Sequence, residues 1–202
     1  DRLDLAADTM VVFSSDNGPE TTCYERIREY DHYSMGELRG AKRDLWEGGH
    51  RVPMIVRWPG MVQAGGESNQ LVSLTDWIAT FAEITGTKLP PDSAEDSVSL
   101  LPLLNGSTAP VRNHVIHHTY RGHFAIRYHD WVLIDHPTGD GNSAGAEPAW
   151  FREERQVSSH DSNKELFNLA LDPQQKTNIY KNNPFKSEDM KSRMIRLKEA
   201  SR

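Results

Sequence analysis

The sequence has little cysteine, no long apolar run and no long basic run, and each absence excludes a class of protein. Cys23 is the one cysteine among 202 residues, so neither an intrachain disulfide nor a cysteine-rich metal site can form. No apolar stretch approaches the roughly 18 to 20 residues of a spanning helix, so we expect no membrane span. The net charge of −6 without a basic run argues against nucleic acid as a partner.

The start of the chain also lacks a recognisable signal. Asp1-Arg2-Leu3-Asp4 is not a secretory leader, and only six residues separate Asp1 from a strand that begins near Asp8. We therefore expect that the chain starts abruptly, as a truncated protein would. Cys23 has no activating motif around it, and we interpret it as a partly buried thiol rather than a nucleophile.

The composition is that of a globular protein, with 37% hydrophobic and 26% charged residues. We predict an α/β fold, with a first part over residues 1–107 and a smaller α+β part over 108–202. The apolar run 9–13 predicts a strand buried on both faces, as in a parallel sheet. A second strand is predicted over 52–58, and residues 20–50 between them are predicted to be irregular, with at most one helical turn.

A helix is predicted after residues 73–75, where Ser73 or Thr75 can cap it, and Gly86 is placed to end it. Its apolar face would carry Trp77, Ile78, Phe81 and Ile84.

Beyond residue 107 the pattern changes to several short strand candidates at meander spacing. They cover residues 115–118, 124–127, 131–134 and 165–169, and they predict an antiparallel sheet. Residues 136–163 are predicted to be a loop, and residues 187–202 a terminal helix whose acidic start and basic end suit the helix dipole.

A carboxylate and an amide follow the first predicted strand directly, in Ser15-Asp16-Asn17-Gly18. Ligands bind at this edge of open α/β sheets, and such oxygens suit Ca²⁺ or Mg²⁺. A plain turn is the alternative, since Asn-Gly is a common turn dipeptide.

A glycine-rich, basic segment lies between the two predicted strands, over residues 36–53. Lysine can act on an anion as a point charge and arginine as a fork. Taken alone, this segment fits a solvated loop packed by Trp46 better than an anion site.

Together the two segments resemble the formylglycine-dependent sulfatases of the alkaline-phosphatase-like superfamily. The resemblance rests on Ser-Asp-Asn-Gly, then on Lys, three residues, Trp-Glu-Gly-Gly, one residue and Arg-Val-Pro, followed by a strand ending in Trp-Pro-Gly. It continues through residues 73–76, 99–104, 122–127, 165–169 and 172–178, which is nearly the whole chain in the family's order.

The resemblance implies roles for individual residues. Asp16 and Asn17 match two ligands of the active-site Ca²⁺, and Lys42 matches the lysine that contacts the sulfate. Five further positions match the family signature, and we interpret them as structural: Glu47, Gly48, Gly49, Arg51 and Pro53. The glycines would permit a positive φ or a close approach of backbone. The C-terminal part often shapes the substrate pocket in this family, which makes His118 and Arg121 candidates for contacts to sugar or leaving group.

The family's nucleophile motif, Cys-x-Pro-Ser-Arg, is absent, and so are its N-terminal acidic metal ligands. The resemblance therefore implies that formylglycine belongs to an N-terminal half that is missing here, and that this chain alone hydrolyses nothing and binds Ca²⁺ poorly. For the complete protein it implies hydrolysis of aryl sulfates or sulfated carbohydrate, and a periplasmic or secreted location.

Two alternatives stay open. A phosphodiesterase or phosphonate hydrolase of the same superfamily would share the fold and the Asp-Asn pair. The chain could also be a non-catalytic module that binds sulfated glycans through the basic loop 39–51.

Overall fold

The computed structural model describes residues 2–142, 146–159 and 161–200. They form two compact units, each built from two stretches of chain. Unit 1 comprises residues up to 15 and residues 53–115, and unit 2 comprises residues 16–52 and 116–200. The predicted division at residue 107 stays a prediction. Among the described helices, none is long and apolar enough to cross a membrane.

Unit 1 contains a two-stranded sheet and short helices. Strand β1 (Val11–Ser14) pairs antiparallel with β2 (Met54–Arg57), and Phe13 lies opposite Ile55. A 3₁₀ turn (Ala6–Asp8) precedes β1. Helices α3 (Asp76–Thr85) and α4 (Leu101–Leu104) complete the unit.

The prediction that the first strand is buried on both faces is wrong for this structure. Val11, Phe13 and Ile55 are 49%, 60% and 62% exposed. These side chains share one face of the antiparallel pair, because strand residues alternate between faces. An uninterrupted apolar run cannot distinguish a doubly covered strand from one with a bare face.

Helix α3 is confirmed, but neither Ser73 nor Thr75 caps its N-terminus as predicted. No side chain caps the N-terminus. Instead the buried Asp76 carboxylate accepts the backbone N–H groups of Ser73, at 2.7 Å, and Val98, at 3.0 Å, and it pairs with Arg112. Gly86 ends the helix in the left-handed region, with φ 65°.

Unit 2 carries the predicted sheet of the C-terminal part. Its strand order is β3 (His114–His118), β4 (Phe124–Tyr128), β5 (Trp131–Ile134) and β6 (Glu165–Asn168). The pairs β4–β5 and β5–β6 are antiparallel. The chain passes from unit 1 to unit 2 within β3, between residues 115 and 116.

The terminal helix packs on this sheet. Helix α6 (Pro184–Ala200) begins three residues earlier than predicted and buries Met190 and Met194 against Ile126, Leu133 and Leu166. Residues 201–202 of the predicted helix lie outside the described residues. The α/β class with an antiparallel C-terminal sheet and helix is therefore confirmed.

The segment 20–50 is more regular than predicted. Helix α1 (Cys23–Tyr30) spans eight residues and α2 (Glu47–His50) four. Cys23, Tyr24 and Ile27 form the buried stripe of α1. The other five residues of the helix, four of them charged, obscure this stripe when hydrophobicity is averaged along the sequence. A further short helix, α5 (Ala149–Glu154), lies within the predicted loop 136–163, and its Phe151 packs against Tyr24.

Candidate active site

Two backbone hydrogen bonds join the segments that the sequence singled out, and both lie within unit 2. The N–H of Gly18 donates to the carbonyl of Gly49 at 2.9 Å, and the N–H of Lys42 donates to the carbonyl of Pro19 at 2.7 Å. The segment that follows β1 is therefore fixed alongside the lysine-bearing loop.

Three glycines allow this close approach of backbone. A Cβ atom on Gly18 would clash with the carbonyl of Gly48, and one on Gly48 would clash with the carbonyl of Gly40. A Cβ on Gly49 would meet the carbonyl of Asp44. Since Gly48 and Gly49 lie in α2 without positive φ, they serve close approach rather than left-handed turns.

Asp16 and Asn17 lie at the start of this segment. The Asp16 carboxylate is exposed and accepts the N–H of Asn17 at 3.0 Å, while the Asn17 amide nitrogen donates to the carbonyl of Gly18 at 2.9 Å. This orients two hard oxygen donors in neighbouring side chains, which suits Ca²⁺ chemically. Two donors are fewer than the roughly six to eight oxygens that Ca²⁺ takes. No group of three or more acidic, histidine or cysteine side chains in the described residues could complete a site.

Lys42 presents its ammonium group at the surface of the loop, where Glu20 meets it. Glu20 Oε1 lies 2.8 Å from Lys42 Nζ, and Glu20 Oε2 lies 2.9 Å from an amino nitrogen of Arg43. Hydrogen bonds from Arg43 and Lys42 lower the pKa of Glu20 to about 2. One carboxylate thus bridges two adjacent cations.

Arg43 itself adopts a backbone conformation that side chains disfavour. Its φ is 81°, in the left-handed region that costs a non-glycine residue on the order of 1–2 kcal/mol. A Cβ on Gly141 would clash with the carbonyl of Arg43, so the loop that carries Gly141 packs directly against this turn.

Asp44 fastens the turn from the other side. One of its oxygens accepts the N–H of Ala41 at 2.8 Å, and the other accepts the N–H of Gly141 at 3.0 Å and the amide of Asn142 at 2.8 Å. That amide also donates to the carbonyl of Lys42 at 2.9 Å. Burial raises the pKa of Asp44 to about 7, and its hydrogen bonds act in the opposite direction.

Glu47 is a buried carboxylate that receives two arginines. Its Oε2 lies 3.0 Å from Arg127 of β4 and 3.6 Å from Arg51. The backbone N–H of Glu47 donates to the side chain of Gln175 at 2.7 Å. Through its ion pair with Arg127, the Glu47 carboxylate fixes the loop 39–51 to the C-terminal sheet. Pro53, in unit 1, accepts the hydroxyl of Ser14 through its carbonyl.

A second buried ion pair lies behind the loop. Arg39 is 2% exposed and donates two hydrogen bonds, of 2.7 and 2.8 Å, to the Glu147 carboxylate. Its guanidinium stacks 3.7 Å from the Trp46 ring centre, and the Trp46 indole donates to Glu165 of β6 at 2.9 Å. The lysine loop is thus anchored by charges and by an aromatic ring from within unit 2.

Comparisons with known proteins show the family of the chain. The family model described as Sulfatase matches residues 1–87. An N-acetylgalactosamine-6-O-sulfatase of Bacteroides thetaiotaomicron is 32% identical over 190 residues, which is 91% of this chain and 35% of that protein. This chain belongs to the sulfatase family.

Other relatives support the assignment across kingdoms. Human arylsulfatase A is 32% identical over 183 residues, covering 88% of the chain and 34% of its own length. A solved structure described under metabolism of multiple glycosaminoglycans by Bacteroides thetaiotaomicron matches 98% of the chain and 40% of its own, with TM-score 0.77 and 28% identity. The sulfatase-family chain therefore matches about a fifth to a third of the length of its curated relatives.

Among the described histidines of this sulfatase-family chain, His50 and His117 are partly buried and His118 is exposed. His50 and His117 stack with ring centres 4.0 Å apart, and each Nε2 contacts the carbonyl of Leu45, at 3.2 and 3.3 Å. Burial lowers the pKa of His50 to about 4 and of His117 to about 3. His118, its neighbour on β3, is exposed, and its Nδ1 lies 2.8 Å from the carbonyl of Thr119.

Arg121 lies in the turn between β3 and β4. Its Nε donates to the Tyr120 hydroxyl at 2.8 Å, and Tyr120 is 72% exposed. His118 and Arg121 thus stand at one end of the sheet, and whether they contact a leaving group stays a prediction. Cys23 is fully buried in α1, and burial raises its pKa to about 11, which fits the interpretation as an inert thiol.

Sequence reasoning missed the acidic and amide side chains that hold Lys42 in place: Glu20, Asp44, Glu147, Glu165 and Asn142. Glu20 and Asp44 lie close to Asn17 and Lys42 in the sequence, and that proximity was the available signal. The other three come from segments about 100 or more residues away, and their positions carry no local pattern.

Proposed function

We propose that the complete protein hydrolyses sulfate esters, with a sulfated carbohydrate or an aryl sulfate as substrate. The observation that carries the proposal is the fixed position of Lys42, joined through Pro19 to the segment that bears Asp16 and Asn17. Two relatives, an N-acetylgalactosamine-6-O-sulfatase and arylsulfatase A, are named for the same ester chemistry and support the proposal.

Lys42 has the role of a preorganised cation. Asp44 accepts the N–H of Ala41, and Asn142 donates to the carbonyl of Lys42. The backbone at the lysine is thus held, which keeps its charge close to the place where the sulfate oxygens gather charge. Such fixed charge is often the largest single contribution to catalysis. The substrate sulfate competes with Glu20 for this ammonium.

Asp16 and Asn17 would supply two of the oxygen ligands of a Ca²⁺ ion, whose chemistry is that of a Lewis acid and template for the sulfate. The nucleophile, a formylglycine, and the remaining ligands would come from another region of the protein. This chain's own residues then bind and orient the sulfate.

Replacing Lys42 tests the proposal in the complete gene product. We expect Lys42→Ala to lower kcat/KM for 4-methylumbelliferyl sulfate by about 100-fold or more, because one electrostatic donor is lost. Lys42→Arg keeps the charge and should lose less. An unchanged kcat/KM in Lys42→Ala would remove Lys42 from the mechanism, and faster turnover of bis(4-nitrophenyl) phosphate than of the sulfate would favour the phosphodiesterase alternative.

Calcium binding by the 202-residue chain provides a second test. We expect calorimetric titration to show only weak binding, in the range of about 10⁻⁴–10⁻³ M or weaker, because two ligands make a poor site. Asp16→Asn should abolish what binding there is. Sub-micromolar affinity would contradict the proposal that other residues complete the site.

The exposed apolar surface of unit 1 supports a further partner, the nucleophile-bearing region of the same protein. Exposed apolar side chains occur on β1, β2 and α3: Val11, Phe13, Ile55, Ile78 and Phe81. Exposed apolar side chains that share one face of a sheet, as Val11, Phe13 and Ile55 do, often mark an interface. We expect the complete protein to bind less of the dye ANS per molecule than the 202-residue chain, and equal binding would contradict this partner.

We propose a periplasmic or secreted location, as the family resemblance implies. Fractionation of the source cells with an antibody against this chain would test it.

A further inference from the structure

The turn that follows Lys42 has an arginine at a position whose backbone conformation favours glycine. Arg43 has φ 81°, and strained backbone that persists in a structure tends to occur at functional sites. Its side chain is 41% exposed, so the strain is not explained by packing of the arginine into a core.

The guanidinium is already set to receive a carboxylate. Its NH1 lies 2.9 Å from Glu20 Oε2 and its NH2 lies 3.3 Å from Glu20 Oε1, while Glu20 Oε1 also meets Lys42 Nζ at 2.8 Å. A two-pronged contact of this kind is the geometry in which arginine recognises carboxylate and related oxyanions. In the structure the protein's own Glu20 supplies that anion.

The turn between β3 and β4 borders the same surface. The Thr119 methyl group and the Arg43 carbonyl both lie close to Gly141, which brings this turn near Arg43. The exposed Tyr120 follows Thr119, and its hydroxyl accepts a hydrogen bond from Arg121. Hydrogen bonding to Glu20 raises the pKa of Arg43, and Tyr120 contributes in the same direction. An exposed aromatic ring with two guanidinium groups offers an apolar face and positive charge together.

We infer that Arg43, with Tyr120 beside it, forms a subsite for a second anionic group on the substrate, either a carboxylate or a further sulfate on the sugar next to the ester. This inference rests on the proposed sulfatase function. The incoming group displaces Glu20 from Arg43 as the ester sulfate displaces it from Lys42. The substrate class is therefore a carbohydrate with at least two negative groups, rather than a simple aryl sulfate.

The test compares substrates with one and two anionic groups in the complete gene product. The probes are 4-methylumbelliferyl sulfate, a monosulfated hexosamine, a disulfated hexosamine and a monosulfated disaccharide containing a uronic acid. We expect Arg43→Gly to lower kcat/KM for one or both dianionic substrates by about 10-fold or more beyond its effect on the monoanionic ones. The two dianionic probes show whether sulfate or carboxylate is preferred.

Two other variants separate recognition from structure. Glu20→Gln removes the internal competitor and should improve KM for the preferred dianionic substrate a few-fold, whereas a merely structural Glu20 would make binding worse. Arg196→Ala removes an equal charge from the exposed surface of α6 and should leave the substrate ratio unchanged. Thermal melting verifies that Arg43→Gly folds, which we expect because glycine suits the left-handed turn.

An equal loss on all substrates in Arg43→Gly would overturn the inference, since Arg43 would then act on the ester sulfate or on Lys42. A weaker binding of dianionic sugars by Glu20→Gln would also overturn it. If the unmutated protein hydrolyses no sulfate ester, the proposed function fails. Calorimetric binding of the same four probes then decides the subsite alone: selective loss of dianionic binding in Arg43→Gly supports it, and no selective loss overturns it.

Discussion

The two units of the molecule differ in where their apolar and charged side chains lie. Among the described residues, the buried apolar side chains lie in unit 2, except that of Leu100, which lies in unit 1. Unit 1 instead exposes Phe13, Ile55 and Ile78, each more than half accessible. Unit 2 therefore has an interior of its own that can hold Lys42 in place, whereas unit 1 displays surface that suits contact with further protein.

Buried charged side chains are more numerous in unit 2, although unit 1 also holds a buried ion pair. The pairs of Arg39 with Glu147 and of Arg127 with Glu47 are largely buried and lie in unit 2. In unit 1 the Arg112–Asp76 pair organises the start of α3. A loop with several glycines has little rigidity of its own, so the buried charges of unit 2 are what fix its conformation. Three predictions test this comparison.

The largest effect is expected from breaking the Arg39–Glu147 pair. Arg39→Leu should destabilise the chain by about 3–5 kcal/mol, because it leaves the Glu147 carboxylate buried without a partner. Urea unfolding followed by circular dichroism measures the change. The double variant Arg39→Leu/Glu147→Leu should recover most of the loss, and a cost below about 1 kcal/mol in the single variant would show that the pair does not anchor the loop.

An intermediate effect is expected from the stacked histidines. Their pKa values in the folded chain, about 4 and about 3, lie below the ordinary 6.5, so unfolding takes up protons in this range. Their contribution to stability is complete above pH 6.5 and is lost as the pH falls towards 4. Each histidine should contribute up to about 1.4 kcal/mol per pH unit there.

Urea midpoints between pH 7 and pH 4.5 measure this dependence. His50→Gln/His117→Gln retains a side-chain donor for the Leu45 carbonyl without the titration, so its midpoint should fall less steeply with pH. Identical slopes in variant and parent would show that these histidines titrate normally.

The smallest effect is expected on the bare face of unit 1. Phe13→Ala should change the unfolding free energy of the chain by about 0.5 kcal/mol or less, because the side chain is already exposed. Phe167→Ala, which truncates a phenylalanine that is 1% exposed in unit 2, is the matched control and should cost about 3–5 kcal/mol. A large loss in Phe13→Ala would mean that unit 1 buries this face in solution.

Local sequence patterns predicted the elements whose residues alternate or repeat with a helical period. The meander of β4 to β6 and helix α3 follow from alternation, periodicity and Gly86, and they are confirmed. The burial of β1 was mispredicted because apolar residues indicate only that a strand can be covered. They do not indicate which part of the protein covers it. Helix α1 was missed because its three buried residues are outnumbered by charged ones.

For the candidate site, sequence reasoning singled out residues 16–18 and 42–53, and the structure places these two segments side by side. The assignment of Asp16, Asn17 and Lys42 to metal and sulfate stays a prediction. The supports of the loop could not be predicted, because Glu147, Glu165 and Gln175 meet it only through tertiary structure. Their identities as acid or amide carry no periodic signal.

The bond between Glu47 and Gln175 also has a consequence for the order of events during synthesis. The two residues are 128 positions apart, and a ribosome adding about 5–20 residues per second needs roughly 6–26 s to cover that distance. During this interval the lysine loop has emerged without the side chains that fix it. The candidate site can therefore assemble only after Gln175 has been synthesised, and a chaperone could bind the exposed loop before then.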